Sequence, residues 1–177
     1  MRVLKVAALL LPLIACACSA PPPVNRSGNV PLTTVKTVDL ERYAGLWYEV
    51  ARYQNSFEKN CVAATAQYVP NKDGSIKVLN RCRKFKLDGD QDVVEGRARV
   101  VSPGKLAVTF FWPFEGDYWI LDLADDYSWA LVGEPEGRYL WILSRKPHLD
   151  DDLKLSLESK LKAVGYNTDA LYWTPQP

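Results

Sequence analysis

Cysteine and histidine are reactive residue types whose number and spacing are informative, and both are scarce in this chain. Four cysteines form two pairs, Cys16 with Cys18 near the N-terminus and Cys61 with Cys82 further along. A thiol can be acylated, can form a disulfide or can act as a nucleophile. The single histidine, His148, argues against a histidine metal cluster and against a catalytic triad, and we interpret it as a solvated loop residue. The two cysteine pairs are therefore the reactive groups whose roles need to be explained.

The first cysteine pair follows an export signal. Residues 1–15 carry Arg2 and Lys5, continue as an apolar run and end in small residues, a pattern typical of a secretory signal peptide that is too short to span a bilayer. The segment Leu13-Ile14-Ala15-Cys16 resembles the bacterial lipobox, so we expect cleavage before Cys16 and acylation of its thiol. Cys18 is the alternative site, although it lacks a large aliphatic residue three positions upstream. A plain secretion signal with incidental cysteines is the competing interpretation.

Export would place the second pair in an oxidising compartment, where cysteines usually pair. Residues 62–69 and 75–80 have the pattern of two strands, and Asn71-Lys72-Asp73-Gly74 between them is a turn signal. Such a hairpin brings Cys61 and Cys82 to nearly opposite positions. We therefore predict a disulfide, in preference to a reactive thiol, because each cysteine has a partner at the right place.

Composition excludes several classes of function. The chain has 177 residues, 47% of them hydrophobic, and a formal net charge of +1, which gives no electrostatic attraction for nucleic acid or for anionic lipid. It contains no P-loop, no glycine-rich dinucleotide fingerprint and no nucleophile elbow. The acidic runs at 125–126 and 150–152 fit a turn and the first turn of a helix rather than a metal site. We expect no cofactor and no metal.

The remaining chain divides into a linker and one folded domain. Residues 19–37 are rich in proline and small polar residues and have no helical period, so residues 16–37 are predicted to be a lipidated N-terminus and flexible tether. Residues 38–177 are predicted to form the domain.

The domain shows about eight short apolar segments separated by turns, typical of an up-and-down barrel or a sandwich. They are residues 47–53, 62–69, 75–87, 93–101, 105–112, 116–124, 128–133 and 138–144. An amphipathic helix follows, capped by Asp150 and ended by Gly165, with its apolar residues at helical spacing at positions 153, 157, 161 and 164. Residues 171–173 could add a short final strand. An all-β series followed by one helix favours a calyx with the helix packed outside.

The chain resembles the lipocalins, and within them the bacterial lipocalins and their apolipoprotein D relatives. The family's G-x-W motif falls on Gly45 and Trp47, and Arg145 matches the Arg that ends the last barrel strand. Residues 71–80 resemble the second hairpin of this subgroup, and residues 111–114 and 116–118 its later segment. The match runs from about Asp39 to Trp173. A lone G-x-W would be weak, but the motif, the terminal Arg, the order of elements and the final helix together are specific.

The resemblance implies an eight-stranded antiparallel up-and-down β-barrel with one C-terminal α-helix packed outside. It also implies that Trp47 closes the narrow end of the barrel and that Arg145 lies across the indole, a structural contact worth about 1–2 kcal/mol. Gly45 would allow the tight turn into the first strand.

The same resemblance supplies candidate ligand contacts. Tyr139 and Trp141 share a strand face with Arg145, and in the family this face lines the cup. Tyr118 and Trp112 complete the candidate set. Phe110 shares a face with Trp112, and strand parity alone does not say whether that face points inward. The alternative is that all these rings fill a small core.

Three functions remain open at this stage. The resemblance implies binding and storage or transport of a fatty acid or lysophospholipid, without catalysis, by a protein lipid-anchored at the periplasmic face of the outer membrane, for membrane maintenance or stress response. The second is a lipocalin-type enzyme acting on a lipid, which would need a cavity nucleophile and base that are not visible. The third is an interaction protein with a filled barrel. The ligand and the oligomeric state, including a homodimer, stay open.

Overall fold

The computed structural model describes residues 21–177. The predicted signal peptide and the lipidation candidates Cys16 and Cys18 lie outside the described residues. The elements in chain order are α1 (Leu40–Tyr43), β1 (Gly45–Tyr53), β2 (Cys61–Pro70), β3 (Ile76–Lys84), β4 (Gln91–Ser102), β5 (Lys105–Phe111), β6 (Phe114–Leu123), β7 (Trp129–Gly133), β8 (Leu140–Ser144), α2 (Asp151–Ala163), a 3-10 turn (Thr168–Ala170) and β9 (Leu171–Trp173).

The eight strands β1–β8 close into a barrel. Each strand pairs antiparallel with the next, and β1 pairs with both β2 and β8, which joins the two edges of the sheet. β9 adds to the second half of β1, where Tyr172 lies opposite Arg52. The predicted up-and-down barrel and the short final strand are thus confirmed, and the sandwich alternative is wrong.

The antiparallel order sorts the loops into two ends. The loops β1–β2, β3–β4, β5–β6 and β7–β8 lie at one end, which we call the open end. The start of β1 and the other three loops lie at the opposite, closed end. At the closed end, the β2–β3 turn is held by a bond from the Asn71 amide to the Ser75 carbonyl (2.8 Å) and by Asp73, which accepts from the Ser75 amide (3.0 Å). The turn signal at residues 71–74 is therefore a hairpin turn as predicted.

The closed end is plugged by Trp47 and Arg145. The Trp47 side chain is fully buried, and the Arg145 guanidinium lies 3.8 Å from the centre of its ring. The indole Nε1 donates to the Tyr43 carbonyl (2.8 Å). Gly45 enters β1 with a φ of +93°, a conformation that glycine adopts without steric cost. This is the geometry that the family resemblance implies for Gly45, Trp47 and Arg145.

Helix α2 packs on the outside of the barrel, as predicted. The Asp150 carboxylate accepts from the Leu153 amide (2.8 Å), which caps the first turn. Leu157 and Leu161 are fully buried against outward-facing residues of the barrel wall, including Leu131. Each buried leucine contributes about 2–3 kcal/mol of hydrophobic stabilisation. This second core holds the helix beside the barrel, separate from the cluster in the barrel interior.

The predicted disulfide is confirmed. Cys61 and Cys82 are bonded, with 5.4 Å between their Cα atoms, and both are buried together with Ala64. The bond ties the first residue of β2 to β3 at the open end, so neither sulfur is a free thiol.

The predicted tether is wrong for its described part. Residues 21–37 lie along the barrel instead of extending away from it: the Asn25 amide donates to the Gly137 carbonyl (2.9 Å), and the Val35 amide donates to the Ile120 carbonyl (3.0 Å). Arg26 fastens the segment, donating to the carbonyls of Val164 (3.0 Å) and Pro135 (3.3 Å). Because this segment has no regular secondary structure, backbone groups of the barrel act as hydrogen-bond partners for its amides. Composition alone does not reveal such partners.

Candidate ligand-binding cup

The barrel interior is filled at the closed end and accessible at the open end. Inward-facing side chains of the closed half are buried: Trp47, Tyr68, Ile76, Val78, Ala98, Leu106, Ile120, Ala130 and Leu143. Further up the same strands, the inward-facing residues are only partly buried: Asn80, Val94, Gly96, Val108, Phe110, Tyr118 and Trp141. On β3, β4, β5, β6 and β8 the accessible part of the inward face therefore lies towards the open end, whereas Arg52 on β1 and Val132 on β7 are buried there as well. We call the region bordered by the partly buried set the cup, and its mouth is the open end.

Three tyrosines form the floor of this cup. The Tyr118 hydroxyl is hydrogen-bonded to those of Tyr43 (2.7 Å) and Tyr68 (2.8 Å). Burial raises the pKa of all three hydroxyls well above the usual value for tyrosine. The floor is thus uncharged in the physiological range.

The mouth is bordered by stacked aromatic rings. The rings of Tyr139 and Trp141 are parallel within 5° with centroids 5.9 Å apart, and Phe57 from the β1–β2 loop lies 5.6 Å from Tyr139. The Trp141 indole donates to the Glu58 carboxylate (3.2 Å). The β1–β2 loop is therefore joined to β8 across one side of the mouth.

A buried ion pair lies on the inward face of β1. Arg52 and Glu49 are both less than 5% exposed, and the guanidinium donates to the carboxylate at 2.5 Å. Thr174 donates to the same carboxylate (2.6 Å). Burial and the nearby charge of Glu58 raise the pKa of Glu49. Because Arg52 also donates to two backbone carbonyls, its charge is engaged within the wall.

A polar pocket of about 340 Å³ lies beside this pair at the open end. The β1–β2 loop, the start of β2, the β3–β4 loop and β9 form its walls, and Lys59, Asn55 and Tyr172 are among its lining residues. Glu58, which borders this pocket, accepts from Trp141, so the pocket lies next to the cup on its β1–β2 side. Polar groups beside an apolar surface suit an amphipathic ligand.

Of the four residues that the sequence predicts as ligand contacts, Trp141 and Tyr118 lie on the inward face among its partly buried residues, and Tyr139 stacks on Trp141 at the mouth. The prediction that Trp112 lines the cup is wrong: its side chain is 88% exposed. Strand β5 ends at Phe111, so the alternation that places Phe110 inward no longer applies to the next residues, which form a turn.

Other cup residues were missed by the sequence interpretation. Val94 and Val108 face the interior, and Phe110 packs so closely on Gly96 that a Cβ there would lie 2.6 Å from the ring. The alternation of residues 93–101 was visible in the sequence and grouped Val94 with Gly96 and Ala98, but it did not show which face points inward. The sequence pattern also did not show that Arg52 faces inward, for a different reason. The ladder between β1 and β8 shifts between Glu49 and Ala51, and this irregularity places Arg52 opposite Trp141.

Within residues 21–177, no group of three or more His, Cys, Asp or Glu side chains is placed to hold a metal ion. No helix in that range is long and apolar enough to cross a membrane. His148 is exposed in a loop, where its Nε2 lies 2.9 Å from the Pro177 carbonyl.

Comparisons with known proteins agree with this geometry. A family profile described as a Lipocalin-like domain matches residues 38–176. The whole chain is 36% identical to the outer membrane lipoprotein Blc of Citrobacter freundii, and the match covers 99% of that protein. Bovine (Bos taurus) apolipoprotein D is 32% identical over 78% of this chain and 77% of its own.

A solved structure shares the fold. Insecticyanin from the tobacco hornworm Manduca sexta superposes with a TM-score of 0.68 at 20% identity, covering 83% of this chain and 85% of its own. At this level of identity the likeness speaks to the architecture alone.

Proposed function

Because this chain belongs to the lipocalin family, we propose that it binds a fatty acid or a lysophospholipid in its cup and stores or carries it at the outer membrane. The observation that carries the proposal is the change along the inward face, from buried residues at the closed end to accessible ones at the open end. A ligand that enters from the mouth meets Val94, Val108, Phe110 and Trp141 before it reaches the tyrosine floor.

The chemistry of the cup favours a single acyl chain. Its accessible lining is mostly apolar, so burial of about ten methylenes would contribute roughly 8 kcal/mol at about 0.8 kcal/mol each. Association entropy and ordering of the chain oppose part of this gain. Micromolar affinity therefore requires no charged partner inside the cup, and the uncharged floor suits the methyl end of the chain.

The polar head group would remain at the mouth. Asn55, Lys59 and the backbone of the β1–β2 loop border the polar pocket there, and Arg52 is already engaged with Glu49. A head group larger than the cup is tolerated in this orientation because it faces solvent. Fatty acids and lysophospholipids share this architecture of one apolar chain and one polar head.

We propose binding without catalysis. Cys61 and Cys82 are consumed in a disulfide, and the floor hydroxyls bond one another and hold their protons more strongly than ordinary tyrosines. The residues that the structure describes in the cup therefore offer no activated nucleophile next to a base, which a lipid-modifying enzyme would require.

The anchor is part of the same proposal. The Blc relatives are named outer membrane lipoproteins, and Leu13-Ile14-Ala15-Cys16 has the form of a lipidation site. We propose that Cys16 is acylated and holds the protein on the periplasmic face of the outer membrane, where lipids for membrane maintenance are at hand. Several acyl chains at about 0.8 kcal/mol per methylene form a durable anchor.

Lipid extraction from natively purified protein tests the bound ligand. Mass spectrometry should find one fatty acid or lysophospholipid per protein, and Trp141→Ala should lower that yield, while Trp112→Ala, an exposed tryptophan, should not. A well-folded protein with no copurifying or exchangeable lipid would leave the filled barrel as the better account.

Acyl labelling tests the anchor independently. Cys16→Ala should abolish incorporation of labelled palmitate and release the protein from the outer-membrane fraction. Retained label would reject Cys16 and make Cys18→Ala the next variant to compare.

A further inference from the structure

The chain's exposed aromatic side chains gather at the open end. Four of the five phenylalanines are between 58% and 76% exposed, and they lie in or beside the open-end loops together with the exposed Trp112. We call this set the aromatic rim: Phe57, Phe85, Phe111, Trp112 and Phe114. Large apolar residues that are exposed at the closed end are aliphatic, such as Leu46 and Val101. A cluster of exposed rings around a mouth marks a contact surface rather than random surface composition.

The N-terminal segment starts at this same end. The Arg138 guanidinium donates to the Pro22 carbonyl (2.7 Å), and the Asn25 amide pairs with Gly137, all on or against the β7–β8 loop. The segment then runs towards the closed end, where Thr34 donates to the Pro103 carbonyl (3.1 Å). The first described residues are thus fixed beside the mouth.

Covalent geometry limits where an anchor on Cys16 can be. Five residues lie between Cys16 and Pro22, and the six steps from one to the other span about 22 Å at most, at about 3.3–3.6 Å per residue. Acyl chains on Cys16 would therefore enter the membrane close to the mouth, whichever path the linking residues take.

Charge indicates which kind of membrane surface would fit. The loops at 54–60, 85–90, 112–113 and 134–139 contain three basic and five acidic residues, so they have no electrostatic preference for anionic lipid. Tryptophan and phenylalanine, in contrast, favour the headgroup region of a bilayer. The rim therefore suits insertion into a zwitterionic surface.

We infer that the barrel stands mouth-down on the lipid bilayer, with the aromatic rim inserted among the head groups beside the acyl anchor. The inference rests on the proposed acylation of Cys16 and deepens the proposed function. The cup then opens into the headgroup layer, and an acyl chain passes between bilayer and cup without crossing bulk water. The rim and the anchor act as two separate membrane contacts, which together fix the orientation.

A fluorescence accessibility experiment tests this orientation in the full-length acylated protein, reconstituted into phosphatidylcholine vesicles. In a Cys18→Ala background, Trp112→Cys carries an environment-sensitive fluorophore at the rim, and Val101→Cys, also exposed, carries it at the closed end as the matched control. We expect the rim fluorophore to shift to shorter wavelength and to be quenched several-fold less by aqueous iodide than the closed-end fluorophore. Adding Phe111→Ser and Phe114→Ser should restore iodide access at the rim while the protein still floats with the vesicles.

The possible outcomes distinguish insertion of the aromatic rim from anchoring through Cys16 and from ligand binding. Flotation with equal iodide access at both sites would overturn the orientation and leave the anchor standing. Failure of the acylated wild-type protein to float would overturn the anchor and, with it, the inference. Protection of the rim that appears without vesicles and grows with protein concentration would assign the rim to a second copy of the chain and also overturn it. Ligand binding measured in solution is unaffected by any of these results.

Discussion

The guanidinium of Arg145 lies 3.8 Å from the ring centre of Trp47 and at the same time donates to four backbone carbonyls between Arg42 and Leu46. One side chain thus covers the closed end of the barrel, terminates helix α1 and fixes the start of β1. The contact is structural: it stabilises the closed end of the barrel, next to the tyrosine floor of the proposed cup.

Replacement of Arg145 should therefore destabilise the barrel without touching the mouth. Arg145→Ala removes the cation–π contact and the donors to several carbonyls, and we expect a loss of about 2–4 kcal/mol in the free energy of unfolding. Arg145→Lys keeps the charge but not the planar group with its five donors, so it should recover only part of the loss. Chemical denaturation measures both, and an Arg145→Ala protein as stable as the wild type would contradict the role of this contact.

The disulfide should stabilise the fold without contributing to binding. Cys61 and Cys82 are 21 residues apart. Closing a loop of that size lowers the conformational entropy of the unfolded chain, which stabilises the folded state by roughly 3 kcal/mol. The double Cys61→Ala/Cys82→Ala variant should unfold at lower denaturant concentration and bind lipid as the wild type does. If its affinity falls while the barrel stays folded, the cysteines belong to the binding site.

Alkaline pH should destabilise the barrel through the tyrosine floor. The pKa values of Tyr43, Tyr68 and Tyr118 are raised in the folded protein, so the unfolded chain loses these protons first as pH rises. The contribution of these three groups to stability is then constant below about pH 10, the usual tyrosine pKa, and falls above it.

The floor variant and its control make this pH dependence specific. Tyr118→Phe removes one of the raised groups and two hydrogen bonds, so it should be less stable at neutral pH but lose less stability between about pH 9 and 11. Tyr172→Phe, a tyrosine on β9 outside the floor, serves as the matched control. Denaturant titrations across this pH range measure how the free energy of unfolding changes with pH. An equal change for the wild type and Tyr118→Phe would contradict the role of the tyrosine floor.

The sequence predicted the architecture well because local signals and the family pattern agree. Asp150 does cap the outer helix, residues 71–74 do form a hairpin turn, and the cysteines of that hairpin are bonded. Each of these features depends on neighbouring residues or on strand periodicity. Such features can be read without knowing how distant parts of the chain meet.

The parts that failed depend on where an element stops or on distant contacts. Trp112 was assigned by extending the parity of β5 one residue beyond its end at Phe111. Helix α1 is four residues long and is held by the Asp39 cap and by Arg145 from far along the chain. The N-terminal segment resembles a linker in composition, yet Arg26 joins it to carbonyls more than a hundred residues away. None of these contacts leaves a periodic pattern in the sequence.

The most direct test of the proposed function is a titration of the purified protein with a fatty acid and with a lysophospholipid, followed by tryptophan fluorescence. The wild type should show saturable binding near micromolar affinity. Trp141→Ala should weaken it about tenfold, corresponding to about 1.4 kcal/mol for the lost ring contact, whereas Trp112→Ala should change the signal but not the affinity. A folded wild-type barrel that binds neither lipid, or an equal loss of affinity in the two variants, would contradict the account of the cup as a lipid-binding site.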